Sequence, residues 1–261
     1  MCTGPLSRRA EDLYPLLRIL VGDDPKSAKL RDPAGVDIRS LRVFSIEGDG
    51  VRAVDPELLS AQERAAQILE KQGATVKRAK LDGLARAPEI WGSMIGEGGG
   101  PTFAELLGEG KPVSGGRELV KWMAGRSPHT FPAIALVLLE RLQQLVGPEQ
   151  ARRFIDLGRR LEAEVLELLG SDGVFLYPPH PLPAPRHGEP LTRPFRWVYT
   201  GIFNVLKLPV TAVPMGLSRG GLPLGVQVGA HPGNDHLSLA VAMLLEREAG
   251  GWIPPPISRL G

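Results

Sequence analysis

Cysteine is all but missing from this 261-residue chain: Cys2 is the only one. An internal disulfide and any cysteine-built zinc cage are therefore excluded, and the composition suits a reducing compartment. An excess of charge of one sign is missing too. The 31 basic and 29 acidic residues are interspersed, for a net charge of +2. No basic stripe marks a nucleic-acid partner. No apolar run reaches the ~18 uninterrupted residues of a membrane span. The longest candidate, Phe131 to Val146, is broken by Glu140 and Arg141 and reads as an amphipathic helix. No signal-peptide pattern precedes the first helix, and no internal repeat or low-complexity segment is found.

What is present is enough apolar material for a sizeable core, 43% of residues, and one stretch that concentrates it. Pro190 to Ala230 reads PLTRPFRWVYTGIFNVLKLPVTAVPMGLSRGGLPLGVQVGA. An aromatic-bearing helix from Phe195 to Leu206 feeds an apolar segment, Leu208 to Pro214. A Gly-rich turn follows, then a second apolar segment, Leu222 to Ala230. β-Branched apolar runs bounded by Gly and Pro read as strands buried on both faces. The short turn between them predicts an antiparallel pair. Both strands are placed in the middle of a layered α/β core, not at its edge.

Elsewhere the pattern predicts a first helix over Leu6 to Gly22, with Pro15 kinking it or delaying its start. A strand at Leu41 to Ile46, a helix opened by Asp55-Pro56-Glu57, and a strand at Thr75 to Leu81 make a strand–helix–strand unit. Such a unit favours a parallel pair. From Ala85 to Gly125 the period weakens into an excursion with short helices near Pro88 to Ile95, Thr102 to Leu107 and Arg117 to Ala124. Two long helices, Phe131 to Val146 and Pro148 to Leu169, precede a strand at Val174 to Tyr177. Pro178 to Pro190 is read as a surface loop, Asn234-Asp235 as the cap of a last helix, and Pro254 to Gly261 as a tail.

Candidate chemistry is sparse. Gly216-Leu217-Ser218-Arg219-Gly220 spells G-x-S-x-G, but that nucleophile elbow needs a helix after it, and here a strand follows. A hairpin turn is the better reading. Gly108-Glu109-Gly110-Lys111-Pro112 lacks the spacing of a phosphate loop, and Pro112 blocks the required helix. His231 and His236 flank a strand-to-helix turn without the i, i+4 spacing of a helical metal pair, and His180 and His187 sit in the Pro-rich loop. No metal site or cofactor is assigned. Trp91, Phe195, Trp197, Tyr199 and Phe203 read first as core and second as pocket walls.

Longer blocks carry more. Cys2-Thr3-Gly4-Pro5-Leu6-Ser7-Arg8-Arg9-Ala10-Glu11-Asp12-Leu13 resembles the T-G-P-hydrophobic-x-R-x-x-E-D-L segment of the amidase signature family. DGVFLYPPHP from Asp172, PLTRPF from Pro190, YTGIFNVLKLPVT from Tyr199, GLPLGVQV from Gly221, NDHLSLAVA from Asn234 and GGW from Gly250 follow in the family's order. The wording is closest to its fatty-acid amide hydrolase 2 branch. The resemblance covers Cys2 to Pro254. It implies the C-terminal portion of an α/β/α layered fold with a mixed sheet: one partial amidase domain over residues 1–254 and a tail over 255–261.

Members of that family hydrolyse amide C–N bonds with a serine nucleophile, a bridging serine and a lysine base. In the family all three precede the T-G-P segment, and this sequence holds no Ser–Ser pair. No catalytic residue is therefore carried over. The expectation is a chain inactive alone that folds poorly without a partner supplying further strands. Its partners would be a fatty-acid amide or other small amide, a complementing amidase half or a second copy of itself. A non-catalytic partner of an intact amidase, and an esterase using Ser218, are the alternatives. By resemblance Tyr199, Thr200 and Phe203 are nominated as substrate-binding, with Trp91 and Met94 as weaker candidates. Intact relatives of the branch are expected to be membrane-associated.

Overall fold

The computed structural model describes residues 4–24, 30–144, 147–193 and 195–254. The chain divides into two compact units, one of Met1–Ala87 with Arg159–Gly261 and one of Pro88–Gly158.

The first unit is built on a five-stranded sheet. After a 3-10 turn at Ala10–Asp12, α1 spans Leu13–Val21. Pro15 lies in its first turn, where a missing N–H costs nothing. The late start therefore follows from the proline. β1 (Arg42–Ser45), α2 (Pro56–Lys71) and β2 (Thr75–Arg78) form the strand–helix–strand unit, and β1 and β2 pair in parallel. α2 starts where it does because the Asp55 carboxylate accepts from the Glu57 N–H at 2.8 Å and Pro56 presets the first helical turn. Leu58, Ala61, Ala65 and Leu69 recur on one face of α2 and are fully buried.

Beyond the second unit come β3 (Gly173–Tyr177), a short helix over Glu189–Thr192, an eight-residue helix over Val198–Val205, β4 (Val210–Leu217), β5 (Pro223–Ala230) and a last helix over Asp235–Ala249. The sheet order is β2-β1-β3-β5-β4. β2, β1 and β3 run parallel, whereas β5 is antiparallel to both β3 and β4. The sheet is thus mixed, and the fold is α/β as the resemblance implied. Where β1 and β3 begin, the Arg42 guanidinium grips the Asp172 carboxylate at 2.7–3.0 Å and also donates to the Leu169 carbonyl at 3.0 Å.

Side chains alternate across the sheet. Val43, Val174, Leu176, Val226, Val228, Val213 and Met215 meet α2 and the last helix in one continuous core. On the opposite face Phe175 and Tyr177 meet Tyr199 and Phe203 of the Val198–Val205 helix, with ring centroids 4.9–5.3 Å apart. Gly229 makes room for that aromatic layer. A Cβ there would come within 2.0 Å of the Phe175 ring.

The placement of both hairpin strands in the middle of the core is corrected. β5 is interior, but β4 is an edge strand of the described sheet. Apolar composition reports covered faces. It does not report whether a strand is paired on both sides. Two boundaries also shift. β2 stops at Arg78, and the aromatic helix begins at Val198 because Phe195 has φ +70°.

The second unit is helical. It contains most of a helix over Ala87–Glu97, helices over Phe103–Leu107, Gly115–Met123 and Phe131–Gln144, and the first half of a long helix over Pro148–Leu169. In chain order these are α3 to α7, so Glu189–Thr192 is α8, Val198–Val205 is α9 and Asp235–Ala249 is α10. α4 opens with a capping box: Thr102 and Glu105 exchange side-chain and backbone bonds at 2.8–3.1 Å. Among the described residues no helix is long and apolar enough to cross a membrane. Residues 145–146 of the predicted helix and 255–261 of the predicted tail lie outside the described residues.

Candidate functional site

The carboxyl ends of parallel strands are where open α/β sheets hold ligands, because the loops there diverge into a crevice. Such a crevice lies at the ends of β1 and β2. It has a volume of about 490 Å³, and its walls include Ser45, Glu47, Arg52, Leu59, Arg78 and Lys80. The loop after β1 forms one wall, and one carboxylate holds that loop. Asp49 is only 3% exposed. Its Oδ1 accepts from the N–H groups of Val51 at 3.0 Å and Arg52 at 2.8 Å, and from the Tyr199 hydroxyl at 3.0 Å. Its Oδ2 accepts from the Arg52 guanidinium. Burial pushes the Asp49 pKa up, but these donors outweigh it and hold the group below its ordinary value.

Tyr199 therefore joins α9 to a loop 150 positions away in sequence. Gly48 permits the close approach: a Cβ there would sit 3.1 Å from the Tyr199 hydroxyl and 3.0 Å from Val54. Burial raises the hydroxyl pKa of both Tyr199 and Tyr177, so both stay neutral donors. Gln227 reinforces the joint by donating to the carbonyls of Pro178 at 3.1 Å and Tyr199 at 3.0 Å. On the other face of the sheet the Gln62 amide nitrogen donates to Ser45 Oγ at 3.0 Å, to the Ile46 carbonyl at 3.1 Å and to the Leu176 carbonyl at 3.4 Å. Its Oε1 is buried without a partner.

Of the nominated residues, Tyr199 and Phe203 come together beneath α9, buried against Tyr177 and Phe175. Thr200 is on the exposed side of the same helix, with its hydroxyl on the Trp197 carbonyl at 2.9 Å. Trp91 and Met94 belong to the second unit. Ser218 sits in the β4–β5 turn, and its Oγ accepts from the Leu222 N–H at 3.0 Å. A strand follows it, so the elbow geometry is not formed. Among the described residues no serine hydroxyl bonds a lysine or histidine side chain. Nor do the described residues gather three or more His, Cys, Asp or Glu side chains at metal-binding distance. The described residues wall a crevice of about 490 Å³. Sequence reasoning passed over Asp49 and Arg52. The signal was Gly48-Asp49-Gly50 directly after an apolar strand, a turn whose aspartate can cap its own loop.

The family model described as Amidase matches residues 1–239. The chain belongs to the amidase signature family. It is 43% identical over 266 aligned residues to fatty-acid amide hydrolase 2 of Homo sapiens and 45% identical to fatty-acid amide hydrolase 2-A of Danio rerio. Each alignment covers 98% of this chain and 49% of the relative. The chain thus spans about half the length of the curated relatives it matches. Solved members share the fold. The 6-aminohexanoate cyclic dimer hydrolase superposes with a TM-score of 0.70 at 22% identity, over 96% of this chain and 55% of its own. A structure of fatty acid amide hydrolase superposes at 0.59 and 16%, over 95% and 48%. This family member is related to fatty-acid amide hydrolase 2, and other relatives are components of glutamyl-tRNA(Gln) amidotransferases.

Proposed function

We propose that these residues form walls and scaffold of an amidase that hydrolyses fatty-acid amides, with the reactive serines and lysine contributed by polypeptide outside them. One conjunction carries this reading. Identity to fatty-acid amide hydrolase 2 is 43% across 98% of the chain, yet the described residues hold no serine bonded to a lysine or histidine side chain. In the reaction so read, a serine oxygen attacks the amide carbonyl and the amine leaves with a proton. Water then releases the fatty acid. The part of this chain is to shape the acyl site. Tyr199, Thr200 and Phe203 remain the substrate-side nominations. Thr200 stands on the open side of α9, while Tyr199 and Phe203 hold that helix against Tyr177 and Phe175.

The test is to mix the purified chain with the remaining half of the Danio rerio relative and follow oleamide hydrolysis. Turnover is expected in the mixture and none in the chain alone. Phe203→Ala in the mixture is expected to change the preference among acyl chain lengths, and unchanged preference would remove that nomination. A serine-reactive phosphonate is expected to leave Ser218 unlabelled. Labelling at Ser218 would favour the esterase alternative instead.

A further inference from the structure

From β1 the chain moves outward to β2, then returns to the other side of β1 to form β3. β1 and β3 run parallel, with Ser45 opposite Leu176, so their carboxyl ends lie together. Such a reversal of strand order is a topological switch point, and open α/β sheets hold ligands outside the carboxyl ends of the strands there.

The turn that leaves β3 at this point, Pro178 to Leu182, is anchored at both ends. The Pro178 carbonyl accepts from the Gln227 amide at 3.1 Å. The same amide donates to the Tyr199 carbonyl at 3.0 Å, so the turn and α9 share one anchor. The Pro181 carbonyl accepts from the Asp55 N–H at 2.8 Å. Pro179 lines a cavity of about 350 Å³, and Val54, next to Asp55, lines the crevice of about 490 Å³. His180 therefore sits between a wall of one cavity and a residue bonded beside the other.

The His180 ring is half-buried, and the turn itself orients it. Its Nδ1 lies 2.7 Å from the Leu182 carbonyl and 3.1 Å from the Leu182 N–H. The first contact needs a proton on Nδ1 and the second needs a bare nitrogen. The shorter contact decides, because two lone pairs held 2.7 Å apart would repel. With the proton on Nδ1, Nε2 is an acceptor, and a backbone carbonyl fixes its direction. Among the described residues no hydrogen bond reaches Nε2.

We infer that His180 is a substrate-contacting residue whose Nε2 accepts a hydrogen bond from the N–H of the amide to be cleaved. The choice of ligand rests on the function proposed above. An amide nitrogen leaves only after its lone pair takes up a proton. An acceptor that holds an N–H fixes which way that lone pair points. An ester has no N–H to offer, so His180 favours amides over esters of the same acid.

The test compares oleamide with methyl oleate, using the full chain mixed with the remaining half of the Danio rerio relative. His180→Leu is expected to lower release from oleamide about ten times more than release from methyl oleate, the effect of one lost hydrogen bond. His180→Gln, whose Oε1 can replace Nε2 as acceptor, is expected to restore most of the amide-to-ester ratio and serves as well if the leucine form melts early. Nitrogen NMR of the isotope-labelled chain in the mixture is expected to show Nδ1 protonated and Nε2 bare. A parent-like ratio in His180→Leu, equal loss on both substrates, no recovery in His180→Gln, or a proton on Nε2 with Nδ1 bare would each overturn the inference. Failure of the functional reading shows differently, as no release from either substrate by the parent mixture, and the inference falls with it.

Discussion

Replacing Asp49 by Asn keeps the shape of the side chain and removes its charge. The parent carboxylate accepts from two backbone N–H groups, a guanidinium and a phenol. Hydrogen bonds to a charged group contribute ~1.5–3 kcal/mol, so urea unfolding is expected to show Asp49→Asn destabilised by about that amount. Because the folded-state pKa is lowered, the Asp49 contribution is present above the ordinary carboxylate range and lost as pH falls through the folded value. The variant is expected to have a flatter acid limb, and an unchanged limb would contradict the assignment. His236 acts at milder pH. Its ring is 5% exposed with Nδ1 unpartnered, and burial, with Arg31 nearby, lowers its pKa despite Asp235. Below about pH 6.5 the unfolded chain takes up a proton that the folded chain refuses. Stability is therefore expected to fall as the pH drops below about 6.5, the ordinary imidazole value, with a smaller fall in His236→Leu. Equal slopes in urea titrations would contradict this.

At the scale of elements, α9 ends in a pattern that a glycine would suit. The Leu208 N–H donates to the Phe203 carbonyl at 3.1 Å and the Lys207 N–H to the Asn204 carbonyl at 3.3 Å, with Lys207 at φ +56°. This is a Schellman end, where the left-handed position favours glycine. Lys207→Gly is expected to stabilise by roughly 0.5–1 kcal/mol, the left-handed cost of ~1–2 kcal/mol less glycine's entropic cost of ~0.5–1 kcal/mol, because the exposed Lys207–Glu162 pair at 3.9 Å contributes little. Gly229→Ala acts in the opposite direction. Its methyl would meet the Phe175 ring, and overpacking of this kind costs about 1–3 kcal/mol. Thermal melts of the two variants are expected to move in opposite directions. Much at this scale was legible in the sequence. Asp55-Pro56-Glu57 announced α2, and the apolar runs announced β4 and β5, because caps and periodicity are local. The Asp49–Tyr199 bond and the open side of β4 were not legible. Each depends on residues brought together across the fold, and no local period records such a meeting.

At the scale of the molecule, the two units differ in how well sequence reasoning described them. The sheet-bearing unit was readable as strand–helix–strand followed by a hairpin. In the Pro88–Gly158 unit the helices from Phe131 and Pro148 were readable, but the stretch up to Gly125 gave only an excursion with short helices, since Gly96, Gly98, Gly99 and Gly100 blur the period there. The walls of the crevice at the ends of β1 and β2, and the α9 support behind them, come from distant parts of the chain. The direct measurement is release of fatty acid from oleamide by the purified chain, alone and with the complementary half of a fatty-acid amide hydrolase 2 relative added. No release alone and release on mixing is the expected result. Steady release by the chain alone would contradict the account.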